Sequence, residues 1–151
     1  PLRAAAADAL HSHVVAILGV DPGAEIVVMG DLNDEPDDAS VTEHLGANLN
    51  LEMIGKDGYI LWNVMGPWHK NPNGSTYTYA GKHMVYDHLI VSRGLTDKYG
   101  LRLVENSVDV FDGYKYRQHD GKYDGYPFRF WAGNRVLGGY SDHMPIYLSI
   151  E

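Results

Sequence analysis

Hydrophobic and polar positions divide the chain into short elements separated by Gly, Pro, Asp and Asn. From Leu2 to about Leu18, Ala and Leu recur among other good helix formers and predict one long helix. It breaks at Val20-Asp21-Pro22-Gly23, where Pro and Gly cannot continue it. Glu25 to Met29 is a short β-branched apolar run of the kind buried inside a sheet. Asp37 or Asp38 can accept from the free amide groups of a short helix reaching about Leu45. Gly46 to Asn73, with Trp62, Trp68 and His69 around Gly66-Pro67, has no sustained period and predicts loop with little regular structure. Ser75 to Tyr79 alternates Thr and Tyr as a half-exposed strand does, and predicts pairing with Met84 to Val91 across Ala80 to His83. Arg102 to Phe111 places Leu, Val and Val at strand-like spacing. Asp112 to Gly139, rich in Tyr, Gly and Asp, predicts a long loop insertion near the functional residues. Ile146, Leu148 and Ile150 alternate with Tyr147 and Ser149 as a last strand.

No internal repeat or low-complexity linker marks a domain boundary, so the 151 residues read as one globular domain or part of one. At 44% hydrophobic the chain can bury a core, and no apolar run approaches the roughly 20 residues that span a membrane. The start lacks the basic region and apolar stretch of a signal peptide. With no cysteine, disulfides and thiolate metal sites are excluded, and the redox compartment stays open, secreted or periplasmic included. The net charge of −8 disfavours nonspecific nucleic-acid binding, which relies on clustered Lys and Arg. It leaves room for a nuclease, because a metal can carry the positive charge at the scissile phosphate. The balance favours a partner smaller than a nucleic acid.

Three segments concentrate the chemistry. Gly30-Asp31-Leu32-Asn33 follows an apolar strand, Val85-Tyr86-Asp87-His88 leads into Leu89-Ile90-Val91-Ser92, and Ser141-Asp142-His143-Met144-Pro145 precedes the last strand. Strand ends on a rigid scaffold commonly present catalytic polar groups. Asp31, Asn33, Asp87, Asp142 and His143 supply oxygen ligands for a hard cation and one imidazole for proton or charge work, the inventory of a divalent-metal phosphoester hydrolase. Asp31 and Asn33 alone would suit a turn equally well. His11 and His13, two apart on a helix, face different directions and predict solvent exposure rather than a metal pair. His69, His83 and His88 lie near Trp and Tyr and are weaker candidates for touching substrate. Tyr and Trp between Asp112 and Gly139 suit stacking on a base, sugar or lipid headgroup, or ordinary packing.

In this order the motifs resemble the C-terminal half of the endonuclease/exonuclease/phosphatase superfamily, which includes pancreatic deoxyribonuclease, abasic-site endonucleases, sphingomyelinases and inositol polyphosphate 5-phosphatases. That family carries a G-D-x-N turn, an acid usually within R-I-D-Y, and a terminal S-D-H-x-P. The first and last match fully here, and the middle one at its acid, with Val85 in place of Arg and His88 in place of Tyr. The run Tyr-Pro-Phe-Arg-Phe-Trp and the Gly138-Gly139 pair also resemble a bacterial branch of the family.

The resemblance implies an α/β fold, one sheet and its outer helices from a two-sheet, four-layer sandwich. It implies a single domain whose C-terminal half is residues 1–151, with the N-terminal half, its strand-end Asn and its metal-binding Glu absent. Apolar side chains such as Val27, Ile90 and Ile146 would then lack full cover, and the missing half or a second chain would complete the sandwich. It further implies in-line attack of a water on a phosphoester. Asp31 would orient and deprotonate that water, and Asn33 would donate to a nonbridging oxygen. Asp87 would fix the tautomer of His143, and cationic His143 would stabilise the charge growing on phosphorus. Asp142, with Asp31, would face magnesium or manganese. The alternative from a different class is a non-catalytic fragment that binds a phosphorylated ligand or a complementary chain.

Overall fold

The computed structural model describes all residues, 1–151. The first helix, α1, spans Leu2–Val20, and α2 is a single turn and a half at Gly66–Lys70. In chain order the strands are β1 Val27–Asp31, β2 Ala47–Asn48, β3 Leu61–Asn63, β4 Tyr77–Tyr79, β5 Lys82–Met84 and β6 Asp87–Ser92. They continue with β7 Asp109–Val110, β8 Trp131–Ala132, β9 Arg135–Val136 and β10 Ile146–Tyr147.

Four strands form the main sheet in the order β1-β6-β3-β2, antiparallel except for β2 against β3. Successive side chains of a strand face opposite ways, so β6 feeds two cores. Ile90 joins Val14, Val41, Leu45, Ala47 and Leu61 under α1. Ala7, Leu10, Val14 and Leu18, spaced at three and four residues, are the stripe of α1 that meets them. Leu89 and Val91 face the other way, into a cluster with Val64, Met65, Val85, Leu95, Val110 and Met144, packed further by Trp62 and Ile146. There β7 pairs with β10 as a short second sheet. Helix, main sheet and second sheet make a mixed α/β sandwich arrangement. Each fully buried Leu or Ile in these clusters contributes roughly 1.5–3 kcal/mol.

Several expectations are corrected. The first strand begins two residues later than expected and runs to Asp31, because Val27 to Asp31 pair residue for residue with Val91 to Asp87. The short helix is one wide turn, Ser40–His44, closed by the Leu45 amide on the Ser40 carbonyl, with Asp38 accepting instead from the Glu35 amide. Gly46 to Asn73 has more regular structure than expected: it holds β2, β3, α2 and a one-turn helix at Leu51–Met53 among its loops. β3 sits inside the sheet, but three residues, one of them Asn, are too few to show a period. The expected hairpin exists between β4 and β5 only, turned by Ala80 and Gly81, both at positive φ. The chain then bends at Val85-Tyr86, and β6 leaves the hairpin to pair with β1 and β3.

Ile90 is 0% exposed and lies on the helix side, so it is not among the side chains lacking cover; Val27 and Ile146 are half-buried. The large apolar side chain left open on β1 is Met29, 73% exposed. The insertion from Asp112 to Gly139 contains the β8–β9 hairpin and one-turn helices at Tyr114–Tyr116 and Gly121–Tyr123. Its Gly138-Gly139 pair has a local cause. Gly138 has φ +77, and a Cβ on Gly139 would meet the Phe128 carbonyl oxygen at 2.1 Å.

Candidate active site

Register places the acids. Along the face of the sheet that carries Val27 and Val91, the cross-strand pairs are Val27↔Val91, Met29↔Leu89 and Asp31↔Asp87. The apolar face thus ends in two carboxylates directly opposite each other, at the end where β1 stops and β6 starts. Like charges in that position repel, and an imidazole offsets them. His143 Nδ1 is 2.6 Å from Asp87 Oδ2, and His143 Nε2 is 3.8 Å from Asp31 Oδ2. An ionised carboxylate only accepts, so Nδ1 carries the proton and donates to Asp87. The Nε2 edge is left facing Asp31 across a gap too wide for a direct hydrogen bond.

The hydrogen bond to Asp87 raises the His143 pKa above its ordinary value, and the charges of Asp87, Asp31 and Asp142 act in the same direction, while partial burial opposes them. The structure thus brings Asp31, Asp87 and His143 together and places Asp142 near enough to act on the imidazole. Asp142 and Asn33 are exposed beside them.

Local sequence builds each position. Gly30, at φ +136, takes a backbone conformation that side-chain-bearing residues rarely adopt, and the turn that follows is closed by the Asn33 amide donating to Asp31 Oδ1 at 2.8 Å. Asn33 itself sits at φ 55, in the left-handed region that Asn tolerates. In the last motif Ser141 Oγ accepts from the His143 amide at 3.0 Å. Met144, 2% exposed, plugs the second core, and its amide donates to the Thr76 carbonyl at 2.7 Å. His143 is thereby held next to Tyr77, with ring centroids 4.6 Å apart and planes within 27°. The π-face of Tyr77 favours the charged imidazole.

Some of these supports are absent from the sequence reading. Thr76 Oγ1 accepts from the amides of both Tyr86 and Asp87, each at 3.1 Å, which fixes the start of β6. Glu35 Oε2 accepts from the Val85 amide at 3.1 Å, tying the turn after Asp31 to the segment before Asp87. A second Asp/Glu-rich stretch directly after G-D-x-N was the available signal for Glu35; Thr76 and Tyr77 had none beyond their strand.

The other histidines divide. His88 is 0% exposed and does not reach a substrate surface. Its Nδ1 accepts from Asn63 Nδ2 at 2.8 Å, and its Nε2 donates to the Asp34 carbonyl at 2.9 Å. Asn63 Oδ1 completes the set by accepting from the Met65 amide. Burial holds the His88 pKa below its ordinary value, so the ring is neutral. His69 lies between Glu35 at 3.2 Å and Asp37 at 3.3 Å. His83 is exposed on β5, 3.3 Å from Thr78 Oγ1. His13 is exposed, whereas half-buried His11 has its Nδ1 2.9 Å from the Leu45 carbonyl, so the α1–Leu45 packing claims it.

No three His, Asp or Glu side chains group as a ready metal cage. Of the carboxylates at this end of the sheet Asp87 is engaged by His143, which leaves the oxygens of Asp31 and Asp142. They suit a hard cation such as magnesium, which commonly keeps several waters and takes only one or two carboxylates. No helix is long and apolar enough to cross a membrane.

This arrangement defines a class. A family model, Endonuclease/Exonuclease/phosphatase family, matches residues 1–151, and the chain belongs to that family. The match extends over the whole chain, and members of the family generally hydrolyse phosphoesters, typically with divalent metals. No curated protein and no solved structure matches the chain.

Proposed function

We propose that this protein is a divalent-metal-dependent phosphoester hydrolase that works by in-line attack of an activated water. The observation that carries the reading is the Asp87–His143–Asp31 alignment on one face of the sheet, with the imidazole hydrogen-bonded on one side and facing a carboxylate across a 3.8 Å gap on the other. Phosphoryl transfer is catalysed chiefly by positioning and charge neutralisation, and both are supported here.

Asp31 has one oxygen engaged by the Asn33 amide and the other turned toward His143. That free oxygen orients the attacking water and takes its proton. Asp87 fixes the orientation of His143 through the Nδ1 hydrogen bond and favours its protonated form, and the Nε2 proton stabilises negative charge on the phosphorane. Exposed Asn33 donates to a nonbridging oxygen. Asp142 and Asp31 would hold magnesium or manganese, which when bound neutralises charge on the phosphate oxygens. The test is hydrolysis of bis(4-nitrophenyl) phosphate by the protein with added magnesium or manganese. Turnover that disappears in His143→Ala and Asp31→Ala, with melting curves preserved, supports the reading. Undiminished turnover in either variant refutes it.

A further inference from the structure

The segment from Asp112 to Gly139 is charged unlike the rest of the molecule. It holds five Lys and Arg against three Asp, whereas the remaining residues hold seven against seventeen Asp and Glu. It is fastened to the β4–β5 hairpin by the Gly81 amide, which donates to the Tyr126 hydroxyl at 2.7 Å. Between segment and hairpin runs a groove of about 1140 Å³ lined by Lys122, Arg129 and Arg135 and by Tyr79, Tyr123 and Tyr126. Asp120 is the one carboxylate among its walls. Arg117 nearby is committed to Asp112 through two hydrogen bonds, but the three groove cations make no ion pair within the chain.

The groove opens next to the reacting groups. Tyr79 stacks parallel to Tyr77 at 6.4 Å, and Tyr77 lies against His143. A row of rings therefore runs from the imidazole to the groove wall.

We propose that this groove is a second-phosphate site: it takes a phosphate other than the one hydrolysed, with a flat ring of the same substrate lying against its tyrosines. The substrate class this defines is a short nucleotide derivative carrying at least two phosphates. Arg side chains match phosphate geometry and have no internal partner to give up here, and aromatic faces accept any base. The acidic remainder of the surface repels a long polyanion, which favours a short substrate over an extended nucleic acid. The inference rests on the hydrolase reading above.

The experiment separates the two. Kinetics would compare the 4-nitrophenyl ester of thymidine 5′-phosphate with the same ester bearing a 3′-phosphate, and calorimetry would measure binding of inorganic tripolyphosphate, which needs no turnover. In Arg129→Ala/Arg135→Ala we expect KM for the 3′-phosphorylated ester to rise about tenfold or more, with kcat held and the simple ester changed less than about twofold. Tripolyphosphate binding should weaken about tenfold or more in parallel. Lys122→Ala and Arg135→Ala alone, both at exposed positions, give the same pattern at smaller size and guard against misfolding of the double variant. Equal effects on both esters, or tripolyphosphate binding that is absent in the wild type or unchanged in the variants, overturns the groove assignment. If neither ester is hydrolysed while tripolyphosphate binds the wild type and not the variants, the hydrolase reading fails and the groove stands.

Discussion

Two imidazoles on opposite faces of the main sheet show how surroundings assign work to one kind of side chain. His88 and Asp87 are neighbours on β6 and point to opposite sides. His88 points toward the α1 side, is fully buried, and is kept neutral between an amide donor and a carbonyl acceptor. His143 meets Asp87 on the other side, partly exposed among three carboxylates that raise its pKa. The first has every hydrogen-bonding position used by the protein and nothing left for a ligand. The second has one edge left over, and that edge faces Asp31.

The comparison breaks most directly at His143. His143→Ala should cut phosphoester turnover by about 10²–10⁴-fold, the range for a lost acid–base or charge-stabilising group, with little change in melting temperature. A steady-state assay beside a melting curve checks both halves.

His88→Ala should do the reverse. It strands the Asn63 amide and the Asp34 carbonyl in the interior, each at about 1–3 kcal/mol, so a loss of about 2–4 kcal/mol is expected. For a chain of this size that lowers the melting temperature by roughly 5–15 °C, while activity measured well below the transition persists.

Asp87→Asn sharpens the electrostatic half. It removes the group chiefly responsible for raising the His143 pKa, so the basic limb of the pH–rate profile should move to lower pH. The rate at its optimum should fall by about 10²-fold because the imidazole loses the carboxylate that orients it and favours its protonated form. A basic limb that stays in place would disconnect Asp87 from the titration.

The smallest effect is the pH dependence of stability, where the two rings have opposite signs. His88 has a folded pKa below its unfolded one. Its contribution is therefore fully present above the unfolded value of about 6.5 and is lost as pH falls from there through the folded value. His143 has a folded pKa above its unfolded one, so its contribution is full below about 6.5 and is lost as pH rises through the folded value. Denaturant unfolding across pH should show His88→Asn losing less stability than the wild type on acidification, and His143→Ala losing less on passing above neutrality.

Much of the site was legible because its residues sit in short motifs at strand ends. Asp31, Asp87 and His143 could be named from the chain, and an acid leading into Leu-Ile-Val was readable as a partner for an imidazole. His88 was not readable as a core residue, because a histidine beside an acid looks the same whether it faces solvent or α1. Asn63 carried a faint signal, a lone amide after Leu-Trp, but the strand that buries it is three residues long. The hairpin was legible from its alternation, yet its length was not. Thr76 Oγ1 takes the amides of Tyr86 and Asp87 and diverts β6 to another sheet, a contact across ten and eleven residues that no local pattern encodes.

The mixed α/β class and the residue types for the chemistry came with the motifs and the family they resemble; the chain's own patterning determined the first helix and the strands β1, β4 and β6. Those follow from side-chain periodicity and local backbone preference, which act over a few residues. Only tertiary structure decided that Asp31 and Asp87 stand opposite each other, that His143 bridges them, and that His88 is sealed away. Register between strands 56 residues apart and burial under a distant helix are set by how the whole core packs, and they shift the two imidazole pKa values in opposite directions.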